Sequence, residues 1–226
     1  MTACFDYPAA ARFGRVVPKS KIYDAARVTA RVRQLFVDQV GQIVWQFKLA
    51  PETINLNGSA AVPEIQIFCV DLRTDGIDHE ILHAIDKAVA FPVLFELTKS
   101  RKRKMIAAYK RPSEADSTKW VISEYFESGW EPVDNPRKPL PRVLDLGALY
   151  DRILSELIPT KRQEGETLPE RVARVEAIRA KKREIARIKA RLAREKQFNK
   201  KVAINAELRV ATKELKRLGG NSIAGA

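Results

Sequence analysis

From Leu168 to Leu218 the chain contains no glycine and one proline, Pro169, at a place where a helix can begin. Such a stretch can only be a very long helix or a pair of them. Val175, Ile178, Ile185, Ile188 and Leu192 mark one apolar stripe, and Ile204, Leu208, Ala211, Leu215 and Leu218 mark a second at strict four-three spacing. The stripes do not join in register, because Leu192 and Leu208 stand 16 residues apart rather than 14. The segment between them, REKQFNKK at 194–201, is polar apart from Phe198. The break favours a helical hairpin with its turn near Gln197–Asn199 over the alternative, one continuous bent helix. A stripe this narrow is a coiled-coil seam and needs a cover: itself, a second copy in a homodimer, or another protein. Ile178, Ile185, Leu192, Phe198, Leu208 and Leu215 are therefore the candidate partner-binding residues.

Charge singles out the same region. The chain has 226 residues and a formal charge of +13. Residues 161–218 carry 19 Lys and Arg against 8 Asp and Glu, whereas the first 160 carry 22 against 20. A nearly neutral body, 1–160, thus precedes a strongly basic segment, 161–218, and a short tail, 219–226, expected to be disordered. Basic segments attract phosphate backbones, acidic protein surfaces or anionic lipid. The candidate nucleic-acid contacts are Arg101, Lys102, Arg103, Lys104, Lys110 and Arg111 at a strand turn, with Lys181, Lys182, Arg183 and Arg187 in the tail segment. No aromatics interleave the cations from Lys181 to Arg194, which argues against a single-strand stacking platform.

The body reads as an α/β (α+β) domain, a mixed β-sheet with packed helices. Residues 1–22 look irregular. Apolar positions from Val28 to Val40 recur at helical spacing, predicting one helix over 24–40. Strands are expected at 43–49, 64–72, 93–98, 105–109 and 120–126, and helices at 78–90, after the cap Asp78, and at 146–157. The run 64–98 is the one βαβ candidate. Four prolines make 131–142 a linker. No apolar run approaches the ~18 residues of a membrane span. The N-terminus lacks the pattern of a signal peptide. Cys4 and Cys69 show no ligand spacing and read as reduced thiols, so the expected compartment is the cytoplasm.

Two catalytic readings compete with a binding role. His79-Glu80-Ile81-Leu82-His83 spells HExxH, which on a helix sets two histidines one turn apart for zinc with a glutamate as base. These are the only two histidines in the chain, and His79 falls in an exposed first turn, so the plain reading is a surface helix with no metal. A metal-dependent nuclease would use Asp71, Glu96 and Lys99. Glu96 and Lys99 are three residues apart on a strand, however, and point to opposite faces. The glycines of the body are isolated, so no phosphate-binding loop exists, and no Ser or Cys sits in a nucleophile elbow. No cofactor is expected.

Four segments taken together resemble a known family: Trp45–Leu56 (WQFKLAPETINL), Glu64–Leu72, Phe91–Phe95 leading to Ala108–Arg111, and Lys196–Leu208 (KQFNKKVAINAEL). In this order, with a basic helical tail, they are similar to the bacterial domain-of-unknown-function family 4391, over about residues 25–218. The family has no established catalytic residues. The resemblance implies an accessory protein encoded beside helicases and DNA methyltransferases in phage-defence or restriction-like loci. The expectation that follows is a non-catalytic scaffold that docks a helicase or methyltransferase through its C-terminal helices and contacts the DNA backbone.

Overall fold

A computed structural model describes residues 4–116 and 119–219; the expected disordered tail thus lies, apart from Gly219, outside the described residues. The chain forms two compact units, Met1–Pro159 and Thr160–Ala226. The class is α+β with a mixed sheet.

In the first unit the sheet runs β2 (Arg12–Val16), β3 (Val40–Leu49), β4 (Ile65–Leu72), β5 (Val93–Lys99), β6 (Lys102–Pro112) and β7 (Trp120–Glu127), with β8 (Glu131–Pro132) also paired to β6. Within this sheet β4 and β5 are the one parallel pair among the described residues, and α4 (His79–Ala88) connects them, as the βαβ reading expects. Asp78 caps α4 by accepting the Glu80 N–H at 2.9 Å. Its inward stripe, Ile81, Leu82 and Ile85, packs with Phe36, Phe68, Val70, Phe95, Leu97 and Ile106 in the main core. Each such side chain, fully buried, contributes about 1.5–3 kcal/mol.

The expected helix over 24–40 is two helices, α1 (Lys19–Ala26) and α2 (Ala30–Gln39). Arg27 breaks it in the left-handed region at φ 49°, and Thr29 starts α2 by accepting the Val32 N–H. Hydrophobic spacing alone does not register this break, since Val28 and Val32 sit on its two sides and both reach the core. Residues 1–22, expected to be irregular, hold β1 (Phe5–Asp6) and the edge strand β2.

The proline-rich stretch is not a free linker. It contributes β8 and β9 (Lys138–Pro139), and β9 pairs in parallel with β1. Arg101 pairs with Asp134, Arg103 with Glu131, Arg137 with Glu96 and Lys138 with Glu156. It is a strap bonded along the sheet, followed by α5 (Leu146–Leu157), which matches the expected span and is capped by Asp145. A single turn, α3 (Pro51–Ile54), completes the unit.

The second unit is the hairpin: α6 (Leu168–Arg194) and α7 (Phe198–Gly219). No helix among the described residues is long and apolar enough to cross a membrane.

Candidate nucleic-acid interface

The hairpin begins with a reciprocal capping box. Thr167 receives the Glu170 N–H, Glu170 accepts the Thr167 N–H at 2.8 Å, and Pro169 occupies the first turn, where no intrahelical donor is needed. Arg174 grips Glu166 at 2.5 Å and holds that carboxyl below the usual carboxylate range. At the other end Glu195 accepts the N–H groups of Lys196 and Gln197, both at 2.8 Å, and so closes the turn between the helices.

Ile185, Ile188, Ile204 and Ala211 form the seam, with Leu192, Leu208 and Leu215 packed against them. The two arms therefore cover each other. This corrects the expectation that Ile185, Leu192, Leu208 and Leu215 await a partner; Ile178 is buried as well, at 7% exposure. Of the six proposed partner-binding residues only Phe198 stands out in solvent, at 76% exposure, with Val202 and Val210 further along α7.

Two ion pairs zip the arms, Lys181 to Glu214 at 2.6 Å and Arg191 to Glu207. Lys181 is thereby held charged, its pKa raised first by Glu184 and then by Glu214. Lys182, Arg183, Arg187, Lys189 and Arg194 are exposed on α6, and Lys196, Lys200 and Lys201 are exposed at the tip. At 3.6 residues per turn, Arg183, Arg187 and Arg194 fall opposite Ile185, whereas Lys182 and Lys189 flank it. The arrangement is a rigid rod with an apolar interior and cationic sides.

The cations of the body are placed differently. Arg103 is 4% exposed and donates to Glu131 at 2.9 Å and to the carbonyls of Val133 and Asn135 at 3.1 and 2.6 Å. Lys104 is buried, pairs with Glu127 at 2.6 Å and lies over the Trp130 ring. Lys110 is 1% exposed; its Nζ donates to the carbonyls of Asp86 and Val89, both at 2.5 Å, at the C-terminal end of α4. Arg111 pairs with Glu114. Arg101 and Lys102 are exposed, Arg101 bound to Asp134 at 2.7 Å. As a correction, then, Arg103, Lys104 and Lys110 face inward and are not available to a phosphate backbone.

Lys110 belongs to a buried polar network that sequence reasoning missed. Tyr125 donates its hydroxyl to Asp86 at 2.5 Å, Lys110 Nζ lies 3.7 Å from the other carboxylate oxygen, and Tyr150 donates to the Ala108 carbonyl while accepting the Lys110 N–H. Burial pushes the Asp86 carboxyl up to about 6 against the pull of Lys110 and Tyr125, and lowers the Lys110 ammonium against the pull of Asp86. The only sequence signal was a lysine between Tyr109 and Arg111 at a strand position whose parity faces the core.

The nuclease constellation is taken apart by its own contacts. Glu96, 1% exposed, accepts both ends of the Arg137 guanidinium at 2.8 and 2.7 Å. Arg137, held charged by Glu96, also donates to the Phe5 carbonyl. Asp71 accepts from Thr98, while Lys99 reaches the Arg73 carbonyl at 2.5 Å. Cys4 and Cys69 are free thiols near this carboxylate, both pushed up to about 12 by burial first and by Glu96 second, and so are poor nucleophiles. In the HExxH segment His79 and His83 are exposed on α4, and Glu80 is bound by Arg31 of α2. Among the described residues no group of three or more His, Cys, Asp and Glu side chains is arranged to hold a metal ion, so this pair of histidines lacks a third ligand.

No curated protein and no solved structure matches the chain. A family model does, over residues 5–215, which spans both the sheet and the hairpin: the chain belongs to the family described as domain of unknown function (DUF4391).

Proposed function

We propose that the chain is a non-catalytic accessory subunit of a bacterial DNA-targeting complex of the phage-defence or restriction-like kind, acting in the cytoplasm, with the hairpin as its arm on the DNA backbone. One observation carries this reading: of the candidate cations on β6, Arg103, Lys104 and Lys110 are buried against carboxylates and carbonyls, whereas the hairpin seals its apolar seam and leaves Lys182, Arg187, Lys189 and Arg194 in solvent. Cations without internal partners, spaced along a rigid rod, suit a string of phosphates read by charge rather than by base. The protein partner, a helicase or DNA methyltransferase, is what the family resemblance implies. Phe198, Val202 and Val210 on α7 are the exposed apolar side chains it would cover.

The test is fluorescence anisotropy of a labelled duplex across a salt series. The apparent affinity falls steeply from 50 to 200 mM salt, and the quadruple variant Lys182→Glu, Arg187→Glu, Lys189→Glu, Arg194→Glu binds at least tenfold more weakly with a shallower slope. Salt-insensitive or undetectable binding removes the DNA role. Co-purification from the native host with mass spectrometry tests the partner, and recovery of the chain with neither a helicase nor a methyltransferase removes that half of the reading.

A further inference from the structure

At the β2 edge of the sheet a half-open cleft of about 370 Å³ lies between β2, β3, β4, α1 and α4. A β-bulge shapes it. The β2 register against β3 shifts between Arg12 and Arg15, and Gly14 takes φ +66° within the shift, a conformation that L side chains rarely adopt. The bulge brings Phe13 to within 4.2 Å of Trp45, ring to ring, and Trp45 stacks in turn 5.9 Å from Phe68. The Arg15 guanidinium sits 4.5 Å over the Phe13 ring. Aliphatic side chains of α1 and α4 complete the wall.

The charged side chains lining the cleft are Arg15 and Lys21, both positive and exposed, and neither forms an ion pair with a described residue. The wall holds one further polar side-chain group, the Trp45 indole N–H, buried without an acceptor among the described residues. We infer that this cleft binds a small amphipathic carboxylate, its hydrocarbon body against Phe13, Trp45 and Phe68 and its head at Arg15 and Lys21. A volume of this size is in the range of small-molecule sites, which pair an apolar lining with a few polar groups. A cationic ligand meets only like charge here. A nucleobase or sugar carries several donors and acceptors, and the lining side chains leave most of them unsatisfied, which disfavours those classes.

The test uses the full chain and isothermal titration calorimetry with octanoate, and with octylammonium as a probe of equal hydrocarbon length and opposite charge. Octanoate binds at least tenfold more tightly. The double variant Arg15→Glu, Lys21→Glu reverses that preference, and Ala25→Trp, a substitution at an exposed position of the cleft wall, blocks octanoate without lowering the melting temperature. Octylammonium binding within threefold of octanoate overturns the inference, and so does octanoate binding that survives Ala25→Trp. The comparison of the two probes on the unaltered protein stands even if a variant fails to fold.

Discussion

Arg103 in the body and Arg187 in the hairpin carry the same guanidinium and meet opposite fates. Arg103 is enclosed by Glu131 and two backbone carbonyls, while Arg187 points into solvent from a helix whose apolar stripe is already covered. The run 101–104 and the hairpin both look basic in the sequence. What separates them is where the counter-charges lie. Carboxylates of β7 and the strap lie against β6, so Arg103 and Lys104 act as structural bonds. The hairpin has few acids, and Glu207 and Glu214 are used to zip its arms, so most of its cations face outward. Net charge per segment is thus a poor measure of the charge a ligand can reach.

The contrast is sharpest at Lys110. Replacing it with Met leaves Asp86 buried opposite an apolar chain and two helix-end carbonyls without their donor. The expected loss is about 3–5 kcal/mol in urea unfolding; a loss below about 1 kcal/mol breaks the claim that the buried cations of β6 are structural. Asp86 itself gives stability a pH dependence. Its pKa rises from 3.8 to about 6 on folding, so the native state keeps a proton that the unfolded chain releases between those values. Stability from this group is therefore full below about pH 4 and declines as pH rises through 6, by about 3 kcal/mol at about 1.36 kcal/mol per unit. Asp86→Asn flattens that part of the pH profile.

In the hairpin the corresponding effect comes from the seam. Ile188→Ala costs about 2–4 kcal/mol, read as lost helicity by circular dichroism and faster amide exchange in α6 and α7. By contrast Lys182→Glu with Arg187→Glu changes stability by no more than about 0.5 kcal/mol while weakening duplex binding. The effect at Arg101 is small as well. Its pair with Asp134 is exposed on both sides, 81% and 71%, so Arg101→Ala costs about 0–1 kcal/mol, less at high salt.

Much of this was legible in the sequence. The hairpin followed from a four-three repeat and a mismatch of register, and the strands from dense β-prone runs such as Ile43–Leu49. Helix α5 was expected at 146–157 and occupies that span. The rest depended on contacts distant in sequence. Four prolines marked 131–142 as loop-like, but nothing local told that Arg137 reaches Glu96, 41 residues away. The cation run 101–104 looked uniform, yet the strand begins at Lys102, and the side chains of Arg103 and Lys104 are buried by acids from β7 and β8. The aromatic cleft was missed because Gly14 reads as punctuation, whereas here it allows a bulge within a strand. Partner residues on the seam were misjudged for a simpler reason: a repeat shows that a cover is needed and not which surface supplies it.

The pairing of Phe5 with Lys138 has a consequence for how the molecule is made. A ribosome adding roughly 5–20 residues per second needs roughly 7–27 s to travel between them. Glu96, once made, lacks its guanidinium for the roughly 2–8 s until Arg137, 41 residues on, is added. Phe5 must wait for Lys138, so the pairing of β1 with β9 forms only after β2 to β8 have been made.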